Sequence, residues 1–464
     1  MKIAILGGGA REFALGRNFL KHGHQVVGVP GNAGFRYFGM DTHPYQGAEN
    51  FAGYFEIEKF DLAVAGQEAY LKEGIGDVMH DRGLPFFGPR RAHARAEWDK
   101  GYLHELLKGT GLMPDGKVFR SRTKAIEFLE RNWKYGRMVG KSTSLREGKG
   151  VIVEDNFSQM LAGVDSIMRP PPLGWGDDIL FQEKLYGPEI STMTLAGKGM
   201  QLVNLPSSKD NKAVGENGFG LNPKRNTGGM GAESPHPHVG QEEFDRLLET
   251  HTKPLIEAVR DDAGCGDVIG AVYNGMMRKT VEGPVLILES NLGRFGDPEI
   301  EAVLMRLAGN DMARYFKAAV DGSLGELPPL VVDPRTAVMG FLCTPGYPTA
   351  GYKDNIGKAL RGLEHLQGEE AVPFLAGVRD EGGNPTSDTH TGNSSEFTAV
   401  RRSLPVRSEG SLVNFGGRVL GVGVFGDNRE EARERFYSEI DGGNRIGIGE
   451  GRADTQFRAD LFLD

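Results

Sequence analysis

The block Glu289-Ser290-Asn291-Leu292-Gly293-Arg294-Phe295-Gly296-Asp297-Pro298-Glu299-Ile300-Glu301 follows the apolar run Val285–Leu288 and holds the densest chemistry in the chain. A carboxylate and an amide two residues apart in a strand point to one face. Glu289 and Asn291 thus offer paired oxygen donors suited to Mg²⁺, which is usually shared between a few protein ligands and substrate phosphates. Arg294, just beyond, is suited to stabilising an acyl phosphate or the tetrahedral species that follows it. Alone, the block also fits a surface turn with solvated charges. A second block, Gly7-Gly8-Gly9-Ala10-Arg11-Glu12, joins a strand to a helix. Free N–H groups at such a helix start favour an anion. The dinucleotide fingerprint G-x-G-x-x-G is not met, because Glu12 replaces the third glycine and Val29-Pro30-Gly31 ends the second strand without an acid. A phosphorylated ligand other than NAD is the expectation, with a purely structural turn as the alternative.

Gly148-Lys149-Gly150-Val151, with Lys141 seven residues before Gly148, is a glycine loop between two strands. Loop glycines let a backbone close on polyphosphate while a lysine supplies a mobile point charge. It is not G-x-x-x-x-G-K-[ST], so a P-loop is not expected, and a chance hairpin turn is the competing reading. Ser208-Lys209-Asp210-Asn211-Lys212 and Asn226-Thr227-Gly228-Gly229-Met230-Gly231 suggest a loop walling a ligand of unspecified kind. No Ser/His/Asp or Cys/His triad assembles from the scattered histidines.

These residues need positioning elements. Strands Lys2–Leu6, Gln25–Val29, Asp61–Ala65 and Leu84–Phe87 alternate with helices Arg11–His22 and Ile75–Arg82, which predicts a mostly parallel α/β unit over residues 1–90. Residues 91–325 read as α+β, opening with a charged helical stretch from Arg90 to Leu112. A sub-unit at about 118–183 carries the glycine loop, strands dominate from Ile179 to Glu289, and one long helix spans Gln241–Asp261. After a linker at Gly322–Pro329, residues 330–464 form a last α+β unit with strands Thr336–Cys343, Ser411–Phe415 and Arg418–Phe425 and helix Asn428–Ile440. A length of 464 residues suits about three such domains. With 39% hydrophobic and 25% charged residues and 68 glycines lacking any G-X-Y period, disorder, collagen and coiled coil are excluded. A net charge of −9 argues against nucleic-acid and anionic-membrane partners. Cys265 and Cys343 lie far apart with no C-x-x-C, which indicates reduced thiols rather than a disulfide framework or zinc site. The opening apolar run is too short for a signal peptide and no stretch is long enough to span a membrane, so a cytoplasmic protein is expected.

Taken in order, these blocks resemble the phosphoribosylamine–glycine ligase (glycinamide ribonucleotide synthetase) family of ATP-grasp enzymes. The family patterns G-G-G-G-R-E, P-G-N-A-G, G-K-G-V, N-T-G-G-M-G and R-F-G-D-P-E-x-E match Gly7–Glu12 (with Ala10 for one glycine), Pro30–Gly34, Gly148–Val151, Asn226–Gly231 and Arg294–Glu301. Gly346-Tyr347-Pro348, His390-Thr391-Gly392 and Gly416–Val422 extend the likeness to the C-terminal part. The resemblance implies a pre-ATP-grasp domain, an ATP-grasp core with a lid, and a small C-terminal domain. It implies a ligase that activates glycine as glycyl phosphate with ATP and Mg²⁺ (Mn²⁺ being possible) and joins it to 5-phosphoribosylamine. The expected state is a monomer. It places Lys100, Lys141 and the Gly148-Lys149-Gly150 loop on the phosphates, Glu183-Lys184-Leu185 at adenine, and Glu189 on the ribose. It assigns Glu289 and Asn291 to the metal, and Arg294, Asp297 and Lys149 to catalysis. Gly9, Glu12, Asn32 and Gly34 fall around the phosphoribosyl group, and Asp210, Lys212, Gly228, Gly229 and Arg294 face substrate.

The chain departs from the family where E-x-N-x-R becomes Glu289-Ser290-Asn291-Leu292-Gly293-Arg294, one residue longer. A bulge at Gly293 would absorb the addition and re-aim Arg294; the alternative is a shifted ligand pair. K-A-D-G becomes Lys141-Ser142-Thr143-Ser144, G-P-E-x-P-L becomes Gly66-Gln67-Glu68-Ala69-Tyr70-Leu71, R-E-H becomes Arg11-Glu12-Phe13, and H-K-R becomes Asn211-Lys212-Ala213. Several of these changes lie near the substrate pocket that the resemblance implies, so a ligase for a different amino acid or amine is the alternative function.

Overall fold

In a computed structural model, residues 1–133, 136–144, 150–214, 225–366, 370–381, 411–441, 445–458 and 461–462 are described. The expectations for Gly148, Lys149 and His390-Thr391-Gly392 lie outside them. The first unit is a five-stranded parallel sheet in the order Asp41–Thr42, Gln25–Pro30, Lys2–Gly7, Leu62–Ala65, Phe86–Phe87. Helices cover both faces, so the strands read as unbroken apolar runs, with Ile3, Ile5, Val64 and Leu62 fully buried. The strand order reverses between Lys2–Gly7 and Leu62–Ala65. A ligand crevice opens at such a point, outside the carboxyl ends of the strands, and here those ends are Gly7-Gly8-Gly9 and Gly66-Gln67-Glu68.

The charged stretch from Arg90 to Leu112 is two helices, Arg91–Trp98 and Lys100–Leu106, rather than one. Asp99 makes the break: its carboxylate accepts the Tyr102 N–H at 2.8 Å and caps the second helix. A four-stranded antiparallel sheet follows, in the order Gly116–Phe119, Ile179–Glu183, Met138–Ser142, Val151–Ile152. Helices Arg122–Asn132 and Phe157–Met168 cover it around a core of its own built on Phe119, Leu129, Val164 and Phe181.

The central sheet is antiparallel, in the order Gln201–Asn204, Glu189–Gly197, Gly270–Arg278, Val285–Leu292. The bulge expected at Gly293 is not there. Gly275 pairs with Glu289 and Met276 with Ile287, so Leu288 is the extra residue, five positions earlier. Gly293 stays on the ladder, donating its N–H to Ala271 at 2.7 Å with φ +116°. A side chain at 293 would meet Leu71 at 2.3 Å, so both the backbone and the packing against the first unit demand glycine. The long helix expected over Gln241–Asp261 is interrupted: Gln241–Leu247 and Lys253–Ala263 are α-helical around a π-turn at Leu248–Thr252. The last sheet crosses the linker. Its order is Lys209–Asp210, Gly231–Ser234, Thr336–Cys343, Arg418–Gly426, Ala371–Leu375, so two of its strands come from before residue 325. Among the described residues no helix is long and apolar enough to cross a membrane.

Candidate active site

These parts enclose one cavity of about 650 Å³. Its wall takes Arg11 and Glu68 from the first unit and Ser142, Gly150 and Val151 from the unit of the four-stranded sheet that contains Met138–Ser142. Lys212, Glu289, Asn291 and Arg294 come from the central part, and Tyr347 and Arg418 from the last.

Glu289 and Asn291 both line it from the strand Val285–Leu292, as the two-residue spacing requires. The bulge at Leu288 turns that residue's carbonyl out of the ladder, where it accepts from Lys141 Nζ at 3.1 Å. Lys141 is 8% exposed and its ammonium is pushed down to about 8 by burial, although Glu289 opposes the shift. Lys212 Nζ sits 3.6 Å from Glu189 and 3.9 Å from Glu289. Burial works against both charges. Lys212, Lys100 and Lys141 nevertheless hold the Glu289 carboxyl below its ordinary range, while Tyr273, Glu189, Glu289 and Asp210 hold Lys212 above its own. A carboxylate kept ionised beside an amide oxygen fits a hard divalent cation shared with phosphates. No cluster of three or more His, Cys, Asp or Glu side chains arranged for a metal exists among the described residues. Glu289 and Asn291 would hold such a cation, with phosphate or water supplying its other ligands.

Arg294 is held differently. Its Nε pairs with Glu97, and with Glu68 at 3.3 Å. Arg11 lies in the same cluster, its Nε on Glu12 at 2.7 Å and one terminal nitrogen on the Phe295 carbonyl at 3.1 Å. The Asp297 carboxylate is occupied by Arg418, a C-terminal residue, through two parallel contacts of 3.1 and 3.0 Å. Arg418 also donates to the carbonyls of Gly228, at 2.6 Å, and Gly229, at 3.2 Å, and lies over the Phe341 ring. One guanidinium thus fastens the Asn226–Gly231 loop, the Asp297 turn and the last sheet together. Gly229 takes φ +103°, and a Cβ there would meet Pro298 at 2.2 Å. Asp210 lines the cavity beside Glu299; burial, reinforced by Glu299, raises its carboxyl well above the ordinary range.

The sequence-predicted residues thus divide. Lys100, Asp210, Lys212, Gly228, Glu289, Asn291, Arg294 and Asp297 meet in this cavity, with Gly150 above them. Gly9, Glu12, Asn32 and Gly34 do not line it. Glu12 Oε2 accepts the Gly9 N–H at 2.7 Å, and Asn32 spends its side chain on backbone, donating to Gly8, Leu375 and Ala376 and accepting from Gly34. They support the turn from behind, and Arg11 is the residue that reaches the cavity. Glu183, Lys184, Leu185 and Glu189 also lie outside its wall; Glu183 pairs with Lys279 at 2.8 Å and Lys184 with Asp155 at 2.8 Å. Sequence reasoning missed Glu68 as a participant, Glu97 and Arg418. Arg418 had a visible signal in its glycine-flanked motif; Glu97, inside a charged helix, had none.

Comparison with known proteins decides the family. The N domain of phosphoribosylglycinamide synthetase matches residues 1–97, and its ATP-grasp (A) domain matches residues 98–300. A phosphoribosylamine–glycine ligase from Rhodopirellula baltica is 32% identical over 451 residues, 94% of this chain and 93% of that protein. The chain belongs to the phosphoribosylglycinamide synthetase family. Another phosphoribosylamine–glycine ligase, from Caldanaerobacter subterraneus, is 31% identical across 95% of this chain and 96% of its own length. The crystal structure of the Thermotoga maritima phosphoribosylamine–glycine ligase superposes with a TM-score of 0.74 at 26% identity, covering 99% of both chains. The fold is therefore ATP-grasp, the expected α/β multidomain architecture, and the family's chemistry is that of an ATP-dependent carbon–nitrogen ligase.

Proposed function

We propose that this chain joins glycine to 5-phosphoribosylamine, consuming ATP and releasing ADP, phosphate and glycinamide ribonucleotide. The observation that carries the reading is the convergence in one cavity of two oxygen donors, Glu289 and Asn291, three lysines close by, and an arginine fixed through its Nε. A carboxylate is a poor electrophile until one oxygen becomes phosphate, and moving a phosphoryl group is mostly a matter of position and charge. Lys100 and Lys141 hold the phosphates on this reading, with the lid segment that contains Lys149. Glu183–Leu185 meet adenine and Glu189 the ribose. Glu289 and Asn291 hold Mg²⁺, which offsets charge on the triphosphate when bound. Arg294 faces the carboxylate being activated, with Asp297 and Arg418 keeping its loop in place. Asp210, Lys212, Gly228 and Gly229 enclose the glycine and the incoming amine. The phosphoribosyl group enters beside Arg11, over a turn shaped by Gly9, Glu12, Asn32 and Gly34. The lid excludes water that would hydrolyse the acyl phosphate. On this reading residues 1–90, 91–325 and 330–464 divide the work of a cytoplasmic monomer, with strands Lys209–Asp210 and Gly231–Ser234 completing the last sheet, a setting that suits the two free thiols.

ADP release measured with glycine and 5-phosphoribosylamine, against a panel of other amino acids and amines, tests this. Turnover confined to the glycine pair is expected. Turnover with another acid and none with glycine overturns it in favour of a related ligase.

A further inference from the structure

Glu97 does not belong to any motif, yet it lies at the acid end of the cavity. It is 3% exposed, its Oε1 pairs with Arg294 Nε, and its Oε2 has no partner among the described residues. Glu68 reaches the same Nε at 3.3 Å from the start of the helix Glu68–Glu73. The closest contact of Arg294 with each carboxylate runs through Nε, and its two terminal nitrogens make no hydrogen bond to a described residue. A guanidinium bonds a carboxylate best through two parallel N–H groups. Holding it by Nε alone leaves such a pair turned to the cavity.

We propose that Glu97 is a positioning residue for the acid substrate: with Glu68 it grips Arg294 by Nε and so presents the terminal nitrogens to the carboxylate that becomes the acyl phosphate. This deepens the function proposed above and rests on it. The charged groups acting on Glu97 are Arg294, Glu68 and Arg11, and Glu289 acts in turn on Arg294. Burial pushes the Glu97 carboxyl up to about 7 against the pull of Arg294, whereas Glu68, opposed by burial, is held low by Arg294 and Arg11. With Glu97 protonated, Arg294 and Arg11 face one carboxylate fewer at this end of the cavity, which favours a bound anion. Once Glu97 ionises, its added negative charge repels one. Affinity for the acid thus falls as pH rises through about 7.

The test is steady-state kinetics on the full chain, with whichever acid supports ADP release, so that a failed glycine assignment does not decide this question. Glu97→Ala is expected to lower kcat/KM for the acid by about 10²-fold, the usual cost of misplacing a reacting group, with KM for ATP within twofold. Glu97→Gln keeps an acceptor for Nε and is always neutral. It is expected to recover most of that loss and to abolish the decline in kcat/KM above pH 7. Circular dichroism melts check folding; should Glu97→Ala not fold, the pH profile of Glu97→Gln stands alone. An unchanged acid kcat/KM in Glu97→Ala, a loss shared equally with ATP, or an unaltered alkaline limb in Glu97→Gln overturns the proposal.

Discussion

The two ends of the cavity are assembled from very different distances along the chain. At the end proposed to hold metal and phosphates, Glu289 and Asn291 sit on one strand, and Lys141 reaches the carbonyl of Leu288 beside them. At the acid end, Arg294 is gripped by Glu97 and Glu68, 197 and 226 residues away in sequence, and Asp297 by Arg418, 121 residues on. The first end depends on local strand geometry, in which spacing alone decides which side chains share a face. The second depends on how whole units dock. On the proposed reading, the charge-exact chemistry is local, whereas the part that recognises the acid is assembled from several units of the fold.

The sharpest way to break this contrast is at the local end. Glu289→Gln removes the charge that pairs the donor set with a cation while keeping the shape. Turnover is expected to fall by at least about 10²-fold, the scale seen when one charge-stabilising group is removed from an active site. The Glu289 side chain is 40% exposed, so the melting temperature should change little. Turnover at the wild-type level would show that the pair does not hold the metal.

At the distributed end, Arg418→Met should separate stability from chemistry less cleanly. It leaves the Asp297 carboxylate, which is 14% exposed, without either of its two contacts and frees the carbonyls of Gly228 and Gly229. Losing one partner of a largely buried pair costs about 3 kcal/mol, readable by denaturant unfolding. An accompanying drop of about tenfold in kcat/KM is expected as the loop loosens. Activity intact with stability lost would reduce Arg418 to a structural tie and shrink the acid end to the Arg294 cluster.

What was legible follows the same division. The parallel first sheet could be read because its strands are short apolar runs punctuated by glycine, and the Glu289/Asn291 pair because strand periodicity is a property of the backbone. The position of the bulge could not. Gly293 looked like the place to absorb an extra residue, but packing against Leu71 and Pro89 pins it to the ladder, and the slack is taken up at Leu288. Asn32 illustrates the converse: its motif marked it as a ligand residue, whereas the C-terminal carbonyls of Leu375 and Ala376 claim its amide. No local pattern reveals a partner more than 300 residues away.

A pH titration sharpens the contrast with the smallest effect. Burial lowers the Lys141 ammonium from 10.5 to about 8, so the charge proposed to serve the phosphates is lost as pH rises through 8. The KM for ATP should rise a few-fold between pH 7.5 and about 9, whereas the acid end has already responded near 7. Bound triphosphate favours the charged form and should carry the transition upward. The stability linkage has the opposite sign. Between about pH 8 and 10.5 the unfolded chain binds the proton that the folded chain has released, so the penalty of burying this charge is complete below 8 and fades as pH rises. Lys141→Arg, charged throughout, should flatten the ATP profile near 8 while leaving the limb near 7 in place. Two limbs that move together in this variant would mean that the cavity titrates as one unit and that its ends are not separable.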